Sequence, residues 1–425
     1  MNRVASAMIL VTKVPLALIS LAPPQHLRHY LMWTGDRPSP MVANRRFLLV
    51  LANLAVLLGI CTVAAGQGKD ATVVAPKLEP AWSKSYPNLY PPPPQLRPVS
   101  LAISESARCA AIAGDGEVEV LDAAGQSLWK WNYRTLNRFI VAGPLAVSPN
   151  CDAIALAGDS GYKQVWLARQ HGSAISLSMS STPLGVAFDR HGELLAVGTG
   201  GNSILLFAKT GKQLWKKTLP GLCLPYEMSF SADNHYILIR DGCSGLLRMD
   251  GSVVWTGHSF GMNASADLRT FVTWAEPPHG PGPGSVSRLD DSGKQVWFKF
   301  SQDPGAVITP AGDKILARAA VNQNPTEQEM EEPLETNLQV LSRDGTVLKD
   351  LSDVDGKPLA ISPEGDRALI RTSGGVEGID MNGTRLFSIA LNPMVYTTVL
   401  VTADFSGMLV FSRDSDPKLR WYTPK

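Results

Sequence analysis

The chain of 425 residues carries 39 basic and 38 acidic side chains, for a formal net charge of +1. Six of the basic groups and one acidic group fall in the first 66 residues, so the remainder is slightly acidic. It therefore lacks the basic face that a nucleic-acid binder needs to displace counterions from phosphate. A hydrophobic content of 44% with 37 Gly and 31 Pro fits a turn-rich globular β-protein rather than a disordered chain.

In chain order, Met8–Leu21 is apolar but interrupted by Lys13 and Pro15. Residues 1–40 read as an over-extended start, unstructured or apolar, with translation expected to begin at Met41. Residues 41–66 have the three-part physics of a signal peptide. Arg45 and Arg46 are the positive region, Phe47–Ile60 the uncharged apolar stretch, and Val63-Ala64-Ala65-Gly66 the small residues for cleavage. An uncleaved membrane anchor is the alternative, because Phe47–Ala65 is nearly long enough to span a bilayer. Both readings keep the arginines inside and send the rest of the chain out. Leu58-Gly59-Ile60-Cys61 resembles a lipobox, but Ile60 stands where such a motif has Gly, Ala or Ser, so Cys61 reads as an apolar residue.

Residues 67–97 are a linker and a closing strand. Ala81–Tyr86 looks like a Trp-bearing strand without its turn, and the stiff, strand-breaking run Pro91–Pro94 follows. From residue 98 to 425 one pattern recurs: an apolar β-rich segment, a turn with glycine, then a strand with Trp four residues later. It appears as Gly125 with Trp129, Gly211 with Trp215, Gly251 with Trp255 and Gly293 with Trp297. Weaker copies have Gly172, Gly345 and Gly383, and a degenerate one ends at Trp421. The spacing is roughly 40 residues, the period of a propeller blade. Each unit has a second hairpin upstream, as in LAVSPNCDAIALAG and LAISPEGDRALIRT, which gives four strands per unit with the first innermost. Units begin near Val99, Pro144, Leu184, Tyr226, Gly261, Ala306, Pro358 and Met394. The predicted fold is all-β, a single β-propeller of eight four-stranded blades, with seven as the alternative. An N-terminal strand near Trp82 is expected to close the ring and leave no open sheet edge at the seam.

The hairpins LDAAGQSLW, AKTGKQLW and DDSGKQVW resemble pyrroloquinoline-quinone-type repeats, and the upstream hairpins are similar to WD-type and TolB-type units. The resemblance implies either a quinoprotein dehydrogenase or a cofactor-free extracytoplasmic scaffold, such as the propeller lipoprotein of outer-membrane β-barrel assembly. The dehydrogenases carry adjacent cysteines over the cofactor, and here no two cysteines are neighbours. The repeated Trp side chains are expected to fill the space between neighbouring sheets, not to hold a cofactor. No cofactor is expected, and no metal-ligating or catalytic constellation stands out.

The turns within the two hairpins of each unit should lie on one face, repeated because their geometry is fixed. The remaining loops should form the opposite, variable face, where a scaffold carries specificity. That face would present Arg134, Asn137, Arg138, Tyr162, Lys163, Asn202, Tyr226, Glu227, Arg240, Asp241, His258 and Glu276. Two insertions belong to it, Glu276–Gly284 and the acidic Asn322–Thr336, the latter expected to be a solvated loop. Cys223 and Cys243 flank variable-face loops of one unit and are the expected disulfide in an oxidising compartment. Cys109 and Cys151 sit at different offsets in adjacent units and are expected not to pair.

The functional reading is a non-catalytic, periplasmic or secreted binding scaffold for a protein or cell-envelope partner. It would meet nucleic acid nowhere, and a membrane only through an uncleaved anchor. Two alternatives differ in class: a propeller enzyme using the central channel (a quinoprotein-type oxidoreductase, or a lyase or hydrolase), and a sensor ectodomain on the anchor. An enzyme should show converging ionisable groups with shifted pKa values.

Overall fold

The computed structural model describes residues 75–424 apart from 90–98, 105, 137–141, 159–160, 222, 258, 277–282, 327–332, 394, 396, 403 and 414–415. These lie in one compact unit, Val63–Lys425. The expected signal segment, the over-extended start and most of the linker fall outside the described residues.

The described residues hold 32 strands and two single-turn 3-10 helices, Pro87–Leu89 and Tyr133–Thr135. The strands form eight consecutive four-stranded antiparallel units. The fourth and fifth units are joined into one sheet through the single pair Asp241–Gly261. The first strands of the units begin at Ser100, Ala142, Pro183, Glu227, Gly261, Ala306, Lys357 and Thr397, each within three residues of its predicted start.

Seven units run from the first strand to the fourth without interruption. The eighth takes three strands from the C-terminal end, Thr397–Val401, Met408–Ser412 and Lys418–Tyr422. Its outermost strand is Trp82–Ser85, with Trp82 opposite Trp421. The closing strand expected near Trp82 is thus in place. Trp421 is corrected from the repeated Trp position to the third strand, and Trp82 occupies the repeated position of that unit.

Eight apolar clusters among the described residues sit one at each junction between successive units. The junction of the eighth with the first joins Leu409, Phe411 and Leu419 to Ala110, Ile112 and Leu121, so the ring is closed. Each second strand feeds two clusters. In Cys109–Gly114, Ala111 and Ala113 face one neighbour while Ala110 and Ile112 face the other. Burial on both sides explains why the central residues of these strands are apolar on both faces.

The Gly-to-Trp spacing has a mechanical origin. In the first unit the register between third and fourth strands slips by one residue, pairing Val120 with Trp129 and Leu121 with Ser127. Leu128 is left as a bulge, 41% exposed. The same slip leaves Leu214, Val296 and Leu348 exposed on their outer strands. At four junctions a Trp ring lies over a turn glycine of the next unit. Trp82 covers Gly125 (φ +79°), and a Cβ there would come within 2.7 Å of the indole. Trp215, Trp255 and Trp297 cover Gly251, Gly293 and Gly345 in the same way. The glycine is needed for its positive φ and for the missing side chain. Indole N–H groups of Trp82, Trp215 and Trp297 donate to the carbonyls of Ala123, Met249 and Arg343 at 2.9, 2.8 and 3.1 Å. Trp255 is the exception, with its Nε1 buried and unbonded.

Candidate interaction face

Both disulfide questions are answered by the turns. Cys223 and Cys243 are bonded, with Cα atoms 5.2 Å apart, and tie the loop entering the fourth unit to the loop between its second and third strands. Cys109 and Cys151 are also bonded, with Cα atoms 6.0 Å apart, which corrects the expectation that they would not pair. Their offsets differ because Cys151 sits within the first turn of its unit at φ +64°, while Cys109 begins the strand after the equivalent turn. That conformation brings the tip of one turn to the end of the neighbouring strand.

The variable face holds three groupings. The first is a pocket of about 340 Å³ at the seam between the eighth and first units, lined by Lys84, Tyr86, Asp115, Glu119, Lys130 and Arg134 among others. Glu119 is buried to 3% exposure. It accepts from Lys84 Nζ at 2.8 Å and from the Tyr86 hydroxyl at 2.7 Å. Burial is the strongest single influence on this carboxyl and opposes its charge. Donation from Lys84, Tyr86 and Ser127 outweighs it, leaving the group below the usual carboxylate range. Burial, and then the Glu119 hydrogen bond, push the Tyr86 phenol far above its ordinary value. Lys130 is held above its ordinary value by its bond to Glu117 at 2.7 Å. Arg134 bonds Asp115. These shifts fix Glu119 as a carboxylate and Tyr86 as a phenol, and move both away from titration near neutrality. The Glu119 bonds to Lys84 and Tyr86 tie the closing segment to the first unit.

The second grouping lies on the second to fourth units. Tyr162 packs over Gly158 and joins the cluster between the first two units. Lys163 contributes its carbonyl to Met179 N–H, and Asn202 donates from Nδ2 to the Gly221 carbonyl at 2.8 Å. The Tyr226 phenol is raised first by burial and then by Asp241. Arg240 donates to the Met262 carbonyl at 3.2 Å and to Asn263, and pairs with Glu227 at 3.7 Å. Glu276 is half-buried at the start of its insertion. Both insertions lie between second and third strands as expected, but residues 277–282 and 327–332 within them, together with Asn137, Arg138 and His258, are outside the described residues. The described candidates do not converge on one point.

The third grouping was missed from sequence. Arg318 bonds Asp355 and the Gly356 carbonyl at 2.7 and 3.5 Å, Lys357 pairs with Asp303, and Arg371 lies half-buried beside them. The signal was present in YILIRD, KILARA and RALIRT, where Arg240, Arg318 and Arg371 hold the same place in three second strands. Among the described residues no cluster of His, Cys, Asp and Glu could hold a metal ion.

No model of a known protein family matches the chain, and neither does any curated protein sequence. Among solved structures it is similar to the Dos1 propeller, with a TM-score of 0.55 and 14% identity over 81% of this chain and 95% of that one. The chain is a β-propeller. Hydrazine synthase of Kuenenia stuttgartiensis is also similar, with a TM-score of 0.42 and 16% identity over 67% of this chain and 95% of that one. Identities this low speak to the propeller fold alone, and one propeller can host many activities.

Proposed function

We propose that this propeller is a non-catalytic, extracytoplasmic scaffold of the cofactor-free quinoprotein-like repeat type, binding a protein or cell-envelope partner through its variable face. The observation that carries the reading is the electrostatic state of the seam pocket. Its ionisable groups are bonded to one another, with the Glu119 carboxyl lowered and the Tyr86 phenol raised, so they supply a fixed framework rather than a reacting pair. The two disulfides support an oxidising compartment. No helix among the described residues is long and apolar enough to cross a membrane.

The test is photo-crosslinking in intact cell envelopes, with the reactive residue at Tyr162 or Tyr226 on the variable face, or at Asp250 in a turn of the repetitive face. The expected result is a discrete adduct from the first two positions and none from the third. Adducts from Asp250 alone would overturn the assignment of the face.

A further inference from the structure

The three equivalent arginines have unequal surroundings. Each stands at the variable-face end of its second strand and turns toward the next blade, since Leu238, Leu316 and Leu369 two residues earlier enter the cluster shared with that blade. In the first three blades the place is taken by Ala113, Ala157 and Gly198. Arg240 has Glu227, from the start of its own first strand, as an ion-pair partner. Arg318 has Asp355, at 2.7 Å, from the loop entering the seventh blade.

Arg371 has neither. Met228 opposite Ile239 and Pro358 opposite Ile370 fix the correspondence of the first strands, so Lys357 stands where the fourth blade has Glu227. Lys357 and Arg371 are direct cross-strand partners, a pairing of like charges that costs stability unless an anion offsets it. Lys357 has Asp303, but among the described residues the Arg371 guanidinium has no hydrogen-bond or ion-pair partner. Burial draws its guanidinium below the ordinary arginine value, as expected for a partly desolvated cation without a counter-ion.

We propose that Arg371, with Lys357, is an anion subsite of the variable face that takes a carboxylate from an acidic segment of the partner. The inference rests on the scaffold reading and names the chemistry of its ligand. A planar guanidinium receives a carboxylate through two parallel N–H bonds, and a lysine alongside adds a point charge.

The experiment is titration of fluorescent hexaglutamate into the full chain at constant ionic strength, followed by anisotropy. Binding is expected to weaken about tenfold or more in Arg371→Gln, in line with loss of one charge-assisted bond, and to be unchanged in Lys212→Gln, in the repetitive-face turn after Gly211. Lys357→Glu is expected to supply Arg371 with a carboxylate, as Glu227 does Arg240, and to abolish hexaglutamate binding; because it also sets a carboxylate against Asp303, its unfolding midpoint is expected to stay within roughly 1–3 °C of wild type. Its stability keeps the test valid if Arg371→Gln folds poorly. Displacement of hexaglutamate by inorganic phosphate would mark the subsite as open to free anions as well. Persistence against phosphate would mark it as selective for carboxylates. Equal affinity in wild type, Arg371→Gln and Lys357→Glu would overturn the subsite, as would no binding by wild type. The crosslinking test of the scaffold does not use these residues and stands or fails separately.

Discussion

Trp82 and Trp421 face each other across the strand pair that closes the ring, their planes 8° from parallel and their centroids 6.4 Å apart. One comes from the start of the folded domain and the other from its end. Trp82 also covers Gly125 and donates to Ala123 in the first blade, so a single side chain touches both sides of the seam. Trp82→Ala is expected to cost about 2–3 kcal/mol, below the range for fully buried large aromatics because the side chain is only partly buried. Urea unfolding followed by near-UV circular dichroism checks it. A loss under about 1 kcal/mol would show that the seam closes without this residue.

The second prediction concerns Glu119. Replacing it by Gln keeps the volume but leaves Lys84 and Tyr86 without their charged acceptor at a buried position. The expected cost is about 2–4 kcal/mol. Because Lys84 is about one-third exposed and can rehydrate, the lower half of that range is favoured. Tyr86→Phe should cost less, about 1–2 kcal/mol. Denaturant midpoints of the two variants give the comparison, and an order reversed from this would contradict the assignment of Glu119 as the centre of the cluster.

Acid should unfold the protein by a specific route. Asp233, Asp313 and Asp366 are lowered chiefly by hydroxyl donation from Ser231, Thr309 and Ser362 in the first turns of their blades. A carboxylate with a folded-state pKa below its unfolded value contributes stability that is present above about pH 4 and is lost as pH falls through the folded value. The urea midpoint is therefore expected to hold from about pH 7 to 5 and to decline below about pH 4. Asp366→Asn should shallow that decline. A midpoint rising toward low pH would contradict the sign.

Non-reducing peptide mapping of oxidised protein is expected to recover Cys109 joined to Cys151 and Cys223 joined to Cys243. The first pair spans 42 residues and the second 20, so the chain-entropy argument makes the first worth slightly more, with both near 3–4 kcal/mol. Recovery of Cys151 as a free thiol would remove the bond that links the first two blades on the repetitive face.

The blades were legible because their signature is local. A glycine with positive φ, a one-residue bulge and a Trp at fixed spacing are consequences of one turn and can be read in one window. The site was less legible because its relations cross blades. Glu119 looked like any strand residue until Lys84 and Tyr86 arrived from the closing strand 35 and 33 positions away. Arg134 was named from its loop, while its neighbours in the pocket were not. The same limit misjudged Cys109 and Cys151, whose approach depends on the left-handed backbone at Cys151. It also hid Arg318 and Arg371, which became comparable with Arg240 only once strand registers were fixed.

The eighth blade has a consequence for synthesis. Its outer strand, Trp82–Ser85, is made before all seven other blades, and its other three are made after them. As the chain emerges, seven blades can form in order while the strand at Trp82–Ser85 waits for partners more than 300 residues downstream. Until then the apolar flank of the first blade, with Ala110, Ile112 and Leu121, stays uncovered. Truncation ahead of Lys418 would remove Lys418–Tyr422, the strand that bridges Met408–Ser412 to Trp82–Ser85. Such a truncation would injure both sides of the seam, and the nascent protein would be most exposed to chaperones and proteases in the interval before Lys418–Tyr422 is released.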